Sequence, residues 1–276
     1  MNNSTKKILF LGPKGTYSEI ACNSFVEKTD IKAEFTPIST IAKIIEMVDN
    51  DKNLCAILPI ENSIEGIVRG TLDGLFACNN NVCISAQIQI QIQNCLISHS
   101  KKEDIKYIIS HPQPLAQCQN YICTNFGDIQ TVSTTSSAAA TEQLAQKGEG
   151  WASIGNEICA KMHNVPILEY NINDNKDNKT RFVFISRQKN TFGKNSRTSL
   201  VFSTKQEPGA LVCALNVFKQ HNLNLIYIES RPSKRVLGEY NFFVDIDCDI
   251  ENMKKALEDL EKVTQYYKIL GSYCQL

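Results

Sequence analysis

The sequence predicts an α/β protein in two parts: a two-lobed α/β unit over residues 1–190, and a small α+β module over residues 197–276. Three observations predict it. Strand-like apolar runs alternate with helical patterns from the N-terminus, the order that builds a mostly parallel sheet. The texture changes at "VCISAQIQIQIQNCLISH", where Ile88, Ile90 and Ile92 alternate with glutamines, as in a strand with one wet face. After the polar, Gly193-containing stretch "QKNTFGKNSR", the order becomes βαββαβ, the split βαβ arrangement.

The elements follow in order. "KKILFLG" is a short buried strand. The helix after it, in "PKGTYSEIACNSFVEK", has Ser18 or Thr16 as a candidate cap and Ile20, Ala21, Phe25 and Val26 as its apolar face. "AEFTPIS" is a strand, "TIAKIIEMVDN" a helix and "LCAILPI" a third strand. The second lobe is expected to open with the Ile/Gln strand and to cover about 79–165. It continues through "IKYIISH", "PLAQCQNYICTNF", "DIQTVS", "SSAAATEQLAQK" and "WASIGNEICAKMH". Residues 1–78 and 166–190 then form the first lobe, the latter through the strand "TRFVFIS". Beyond the boundary, "TSLVFSTK", "GALVCALNVFKQHN", "LNLIYIESR", "GEYNFFVDIDC", "MKKALEDLEKV" and "YYKILGSY" supply the six elements of the module.

Composition narrows the function. With 276 residues, 42% of them hydrophobic, the chain can build more than one core. Its formal net charge of zero sets up no field for nucleic acid or an anionic membrane. The apolar runs are strand-length, and "MNNSTKKILFLG" lacks a signal-peptide core, so a cytoplasmic protein is expected. The 11 cysteines are odd in number and contain no CxxC, which reads as reduced thiols. Cys118 and Cys123, with His111 nearby, fit no common zinc spacing, and no metal or cofactor is expected.

Four stretches can carry chemistry. In "CAILPIENSIEG" a buried strand ends in Glu61, Asn62 and Ser63. That is either a polar turn with Ser63 capping a helix, or a site where open α/β sheets hold ligands, beyond the carboxyl ends of parallel strands. "LGPKGTYS" places Gly15 and Thr16 between a strand and a helix N-terminus, a setting that suits an anion; it is neither GxGxxG nor a P-loop. "KTRFVFI" starts a strand with Thr180 and Arg181. "SHPQPLAQC" sets His111 beside two prolines, in a rigid loop or a site.

Taken together, these blocks resemble the prephenate dehydratases of the monofunctional bacterial type. "LGPKGTYSEIA", "PIENSIEGIVRGTLD", "SHPQPLAQC", "NKTRFVFI", "EPGALVCALNVF" and "NLIYIESRPSK" match that family in order over nearly the whole chain. The resemblance implies two lobes similar to type II periplasmic binding proteins, with the site in the cleft between them. It also implies a C-terminal ACT domain that binds L-phenylalanine and inhibits the enzyme. Asn94, Trp151, Gly74 and Ile226 depart from the usual family residues.

By resemblance, the substrate is prephenate and the reaction its decarboxylative dehydration to phenylpyruvate, on the route to L-phenylalanine. Arogenate is the alternative substrate, and a non-catalytic amino-acid sensor the alternative role. Prephenate is a dianion whose ring hydroxyl must leave as CO2 departs. A positioned donor contributes roughly 10²- to 10⁴-fold to such a step, and neutral groups around the departing carboxylate avoid stabilising the ground state. The resemblance implies Thr180, Glu61 and Asn62 as the catalytic set, with Thr180 or Glu61 as donor. It implies Ser63, Ser136, Ser137, Arg181, Phe182, Gly15 and Thr16 around the substrate. Gly209, Ala210, Leu211, Asn224, Glu229 and Ser230 would hold L-phenylalanine. ACT modules of this kind pair with one another, so a homodimer or homotetramer is expected.

Overall fold

The computed structural model describes residues 5–79, 82–188, 192–233 and 238–276. In chain order the first part comprises β1 Lys6–Leu11, α1 Tyr17–Thr29, β2 Ala33–Ile38, α2 Ile41–Asn50, β3 Leu54–Asn62, β4 Gly66–Ile67, α3 Arg69–Ala77 and β5 Cys83–Gln91. There follow β6 Cys95–Ile97, β7 Tyr107–Ser110, α4 Pro112–Gln117, α5 Gln119–Phe126, β8 Gln130–Ser133, α6 Ser137–Leu144, β9 Trp151–Gly155, α7 Glu157–Met162, β10 Ile167–Glu169 and β11 Lys179–Ser186. The C-terminal module is β12 Arg197–Thr204, α8 Ala210–Gln220, β13 Leu225–Pro232, β14 Tyr240–Ile246, α9 Lys254–Val263 and β15 Thr264–Gln275.

Two sheets organise these elements. The larger runs β13-β14-β12-β15-β5-β11-β3-β1-β2, with β4 paired to β3; the smaller runs β10-β6-β9-β7-β8. In the first lobe β1 is parallel to β2 and β3, whereas β11 is antiparallel to both β3 and β5. The sheet is therefore mixed, because β11 is the chain's return from the second lobe. That lobe is built on β7, parallel to β8 and β9, with β6 and β10 antiparallel at the other edge.

The lobe boundaries differ from the expected ones. β5 belongs to the first lobe's sheet and β10 to the second lobe's, so the chain crosses at 92–94 and again at 170–178. The Ile/Gln run misled for a physical reason: its polar face is covered at Gln87, while Gln89 stays exposed. Ala86, Ile88 and Ile90 join the core with Ile8, Phe25 and Phe182, while Gln87, only 2% exposed, accepts hydrogen bonds from Arg181 and Arg197. The boundary stretch is also less separate than its polarity suggested. Phe192 packs edge-on against Phe25 and Phe184, with ring centroids 5.1 and 5.2 Å apart; 189–191 lie outside the described residues.

The C-terminal module has the expected βαββαβ order, and α8 and α9 share a core with its sheet. It does not hang free. β15 runs on into the first lobe, pairing Cys274 with Ala86 and Gln275 with Gln87 in parallel. A side chain at Gly271 would meet the carbonyl oxygen of Ile84 at 2.3 Å, so only glycine lets β15 approach β5 here. Lys268 Nζ donates to the carbonyls of Leu75, Phe76 and Cys78 at the end of α3, where a cation complements the helix dipole.

Candidate active site

Where the carboxyl ends of β1, β3 and β7 face one another, the lobes enclose a cavity of about 420 Å³. Leu11, Gly12, Pro59, Asn62, His111 and Thr135 line it from the strand ends and the turns after them; Thr16, Tyr17, Ser18, Ser136 and Ser137 line it from the N-termini of α1 and α6. This is the position the open-sheet rule assigns to a ligand, with two helix N-termini directed at it. A larger cavity, about 1130 Å³, lies between α3 and the C-terminal sheet; neither Thr180 nor Asn62 lines it.

Asn62 and Thr180 form the floor. They face each other as a cross-strand pair of β3 and β11, buried at 7% and 8% exposure. The orientation of Asn62 is fixed by its neighbours. Its Oδ1 accepts from the backbone N–H groups of Ile64 and Glu65, both at 2.9 Å, which only an oxygen can do. Nδ2 therefore points the other way and donates to Asn178 Oδ1 at 2.8 Å and Thr180 Oγ1 at 2.9 Å. Because Thr180 Oγ1 accepts from Asn62, its own hydrogen is left to be donated elsewhere, and Thr180 lines the cleft.

Around this floor the polar groups are fixed by local bonds. Ser136 caps α6, accepting from Ala139 N. Thr16 takes the cap position of α1, although its hydroxyl donates back to Pro13 O at 3.0 Å. Tyr17 donates to Gln93 O at 2.7 Å; burial, with the nearby Cys95 thiol, pushes its phenol well above the usual range, so it stays a neutral donor. Gln117 of the second lobe donates to Glu65 and accepts from Asn178, both of the first-lobe side, spanning the cleft. Phe182 adds an apolar wall.

Four expected site residues lie elsewhere. Glu61, Ser63 and Arg181 face the opposite side of the sheet, lining a separate cavity of about 290 Å³ against the C-terminal domain. The cause is the strand period: β3 extends through Asn62, so its neighbours point away from it. Glu61 pairs with Arg181 Nε at 3.0 Å, and Ser63 Oγ accepts from Lys179 N rather than capping a helix. Gly15 sits at the seam between the lobes. Its N–H donates to Glu19 and its carbonyl accepts from Asn156 and Cys159, so it offers no free donor to an anion.

Sequence reasoning passed over Tyr17, Glu65, Gln117, Thr135 and Asn178. Most fall inside the motif blocks; Asn178 stands two residues before Thr180, the spacing that puts two side chains on one face of a strand. Of the departures, Asn94 lines the cleft, whereas Trp151 stacks on Tyr107 at 4.5 Å outside its lining.

The comparisons with known proteins agree with this geometry. The family-wide sequence profile of prephenate dehydratase matches residues 8–190, and that of the ACT domain matches 198–265. The chain belongs to the prephenate dehydratase family. A prephenate dehydratase of Methanocaldococcus jannaschii is 39% identical over 97% of this chain and 98% of its own length. The structure of an Arthrobacter aurescens prephenate dehydratase in complex with L-Phe superposes with a TM-score of 0.86 at 30% identity, covering 97% of this chain and 90% of that one. A quorum-quenching acylase, GqqA, has a TM-score of 0.84 at 26% identity, covering 97% of both chains. The fold is thus shared by a protein named for different chemistry, and the prephenate dehydratase relationship is the nearer in sequence.

Among the expected L-phenylalanine contacts, Gly209, Ala210 and Leu211 line a cavity of about 260 Å³ at the start of α8. Gly209 has φ +84°, a left-handed turn that favours glycine. Asn224 lies beyond the other end of α8, about 16 Å along an 11-residue helix. Glu229 and Ser230 are on β13, paired with Phe243 and Phe242, and do not line that cavity. One chain therefore does not gather these residues into one site.

Proposed function

We propose that the cleft performs the decarboxylative dehydration of prephenate to phenylpyruvate, with Thr180 as hydrogen-bond donor to the departing ring hydroxyl. The observation that carries this reading is the Asn62 amide. Held by two backbone N–H groups, it gives Thr180 Oγ1 its hydrogen bond and leaves the Thr180 hydrogen for a ligand. As the carbon–oxygen bond breaks, the pair from the departing carboxylate completes the aromatic ring. Charge collects on the leaving oxygen, where a preoriented donor stabilises the transition state more than the ground state. A hydroxide leaving group is itself a strong base, the conjugate of an acid as weak as water, so an alcohol is a matched partner. Glu61, the other candidate donor, is paired with Arg181 on the far face.

The hydroxyls at the start of α1 and α6, with the two helix N-termini, suit the substrate's carboxylates. His111 offers a basic group in the same lining. The C-terminal ACT domain is read as the receptor for L-phenylalanine, supported by the L-Phe complex of the A. aurescens relative. Because Gly209 and Asn224 are separated within one chain, a site using both is completed by a second copy, which favours a dimer or a dimer of dimers.

The test is turnover. Purified protein given prephenate should form phenylpyruvate, and L-phenylalanine should slow it. Arogenate offered in parallel sets the substrate preference. Turnover of neither compound overturns the reading.

A further inference from the structure

Arg181 is 6% exposed and sits on the face of β11 turned away from the cleft. Its guanidinium joins two carboxylates from two domains. Nε donates to Glu61 at 3.0 Å, and Nη1 donates to Asp245 of β14 at 2.6 Å. Asp245, 5% exposed, also accepts from Ser199, whose hydroxyl is 2.7 Å from the buried Tyr273 phenol. Gln87 ties Arg181 to Arg197 across the same seam. The Arg181–Asp245 pair is buried, whereas Glu61 at the outer end is 37% exposed, and the cluster spans the join between β5 and β15.

What it abuts decides its meaning. Arg181 pairs with Glu61 on the rung next to the one where Thr180 pairs with Asn62. The two rungs share their backbone but face opposite ways, one to the cleft and one to the C-terminal domain. The register shifts immediately after Arg181, and such a bulge lets a strand re-aim a side chain locally. Thr180 then depends on a 2.9 Å bond across the β3–β11 pair, which the Glu61–Arg181 bridge clamps from behind. A small misplacement of a reacting group costs rate steeply.

We propose that Arg181 is a positioning residue for Thr180, and that Asp245, supplied by the C-terminal domain, holds Arg181 in the required setting. The C-terminal domain thereby enters the geometry of the active site without touching substrate. The inference rests on the reading of Thr180 as the cleft's donor.

The experiment compares kcat and KM for prephenate in Asp245→Asn and Arg181→Lys, each alone and combined with Thr180→Val. Asp245→Asn keeps the shape and removes the charge; Arg181→Lys keeps the charge and removes the fork that reaches both acids. We expect each to lower kcat by about tenfold or more with KM within about threefold. In the Thr180→Val background the same changes should cost less than about threefold, because the group they position is gone. Lys268→Met, which breaks a different seam contact, should leave kcat within about twofold. Near-ultraviolet circular dichroism selects the variants that fold, and either one suffices. Parental kcat in a folded seam variant, full additivity with Thr180→Val, or an equal loss in Lys268→Met overturns the proposal. Parental kcat in Thr180→Val alone is the separate failure of the donor reading, and the proposal falls with it.

Discussion

At the scale of single residues, the account turns on which atom of Asn62 faces Thr180. The backbone N–H groups of Ile64 and Glu65 require an acceptor, so the amide nitrogen must face the hydroxyl. Asn62→Asp keeps the acceptor for the turn but replaces the nitrogen with an oxygen. The Thr180 hydrogen is then drawn to that oxygen and lost to the substrate. We expect kcat to fall by about 10²-fold at pH 8. Below the pKa of the new carboxyl, a protonated oxygen donates again, so the deficit should shrink as pH falls. The check is kcat against pH for parent and variant; a constant ratio of one would mean that the amide does not set the hydroxyl. Thr180 and Asn62 were legible in the sequence through their motif blocks. The opposite facing of Glu61, Ser63 and Arg181 was available in principle from the strand period, but only once β3 is known to run on through Asn62.

At the scale of elements, what the sequence displays is periodicity, and what it conceals is what covers a polar face. Alternating Ile and Gln identify β5 correctly as a strand. They do not say that Gln87 meets two arginines at the seam with a second domain rather than water. For the same reason the lobe boundary was placed early. The βαββαβ order was readable because each segment carries its own turn signals, whereas the joining of β15 to β5 rests on long-range pairing. Gly271 is the hinge of that pairing. Gly271→Ala places a methyl against the Ile84 backbone, where neither partner can yield without moving a strand. Overpacking of this kind costs about 1–3 kcal/mol. Urea denaturation should show that loss, and a stability within about 0.5 kcal/mol of the parent would mean that the strands separate freely there.

At the scale of the whole molecule, the lobes and the C-terminal domain form one folded body through shared strands and buried polar contacts. Its 11 cysteines are free thiols, and among the described residues no helix is long and apolar enough to cross a membrane. The cysteines report on the assembly. Cys159 donates to Gly15 O between the lobes, and burial pushes its thiol up to about 12; burial does the same for Cys118, also up to about 12. At pH 8 such a thiol is about one part in 10⁴ thiolate, and the thiolate is the reactive form. Labelling at pH 8 should therefore modify the exposed Cys123 and Cys213 quickly and reach Cys118 and Cys159 only on unfolding. Mass spectrometry of briefly labelled protein distinguishes the cases; early label on Cys159 would show that the lobes part readily.

The central claim is that the Thr180 hydroxyl assists departure of the ring hydroxyl in prephenate. The most direct measurement is single-turnover formation of phenylpyruvate by the parent, Thr180→Val and Thr180→Ser under saturating enzyme. Valine keeps the branched shape and removes only the hydroxyl; serine restores it. The account predicts a loss of about 10²-fold or more in Thr180→Val, with prephenate binding little changed and most of the rate recovered in Thr180→Ser. Phenylpyruvate formed by folded Thr180→Val at the parental rate would contradict it.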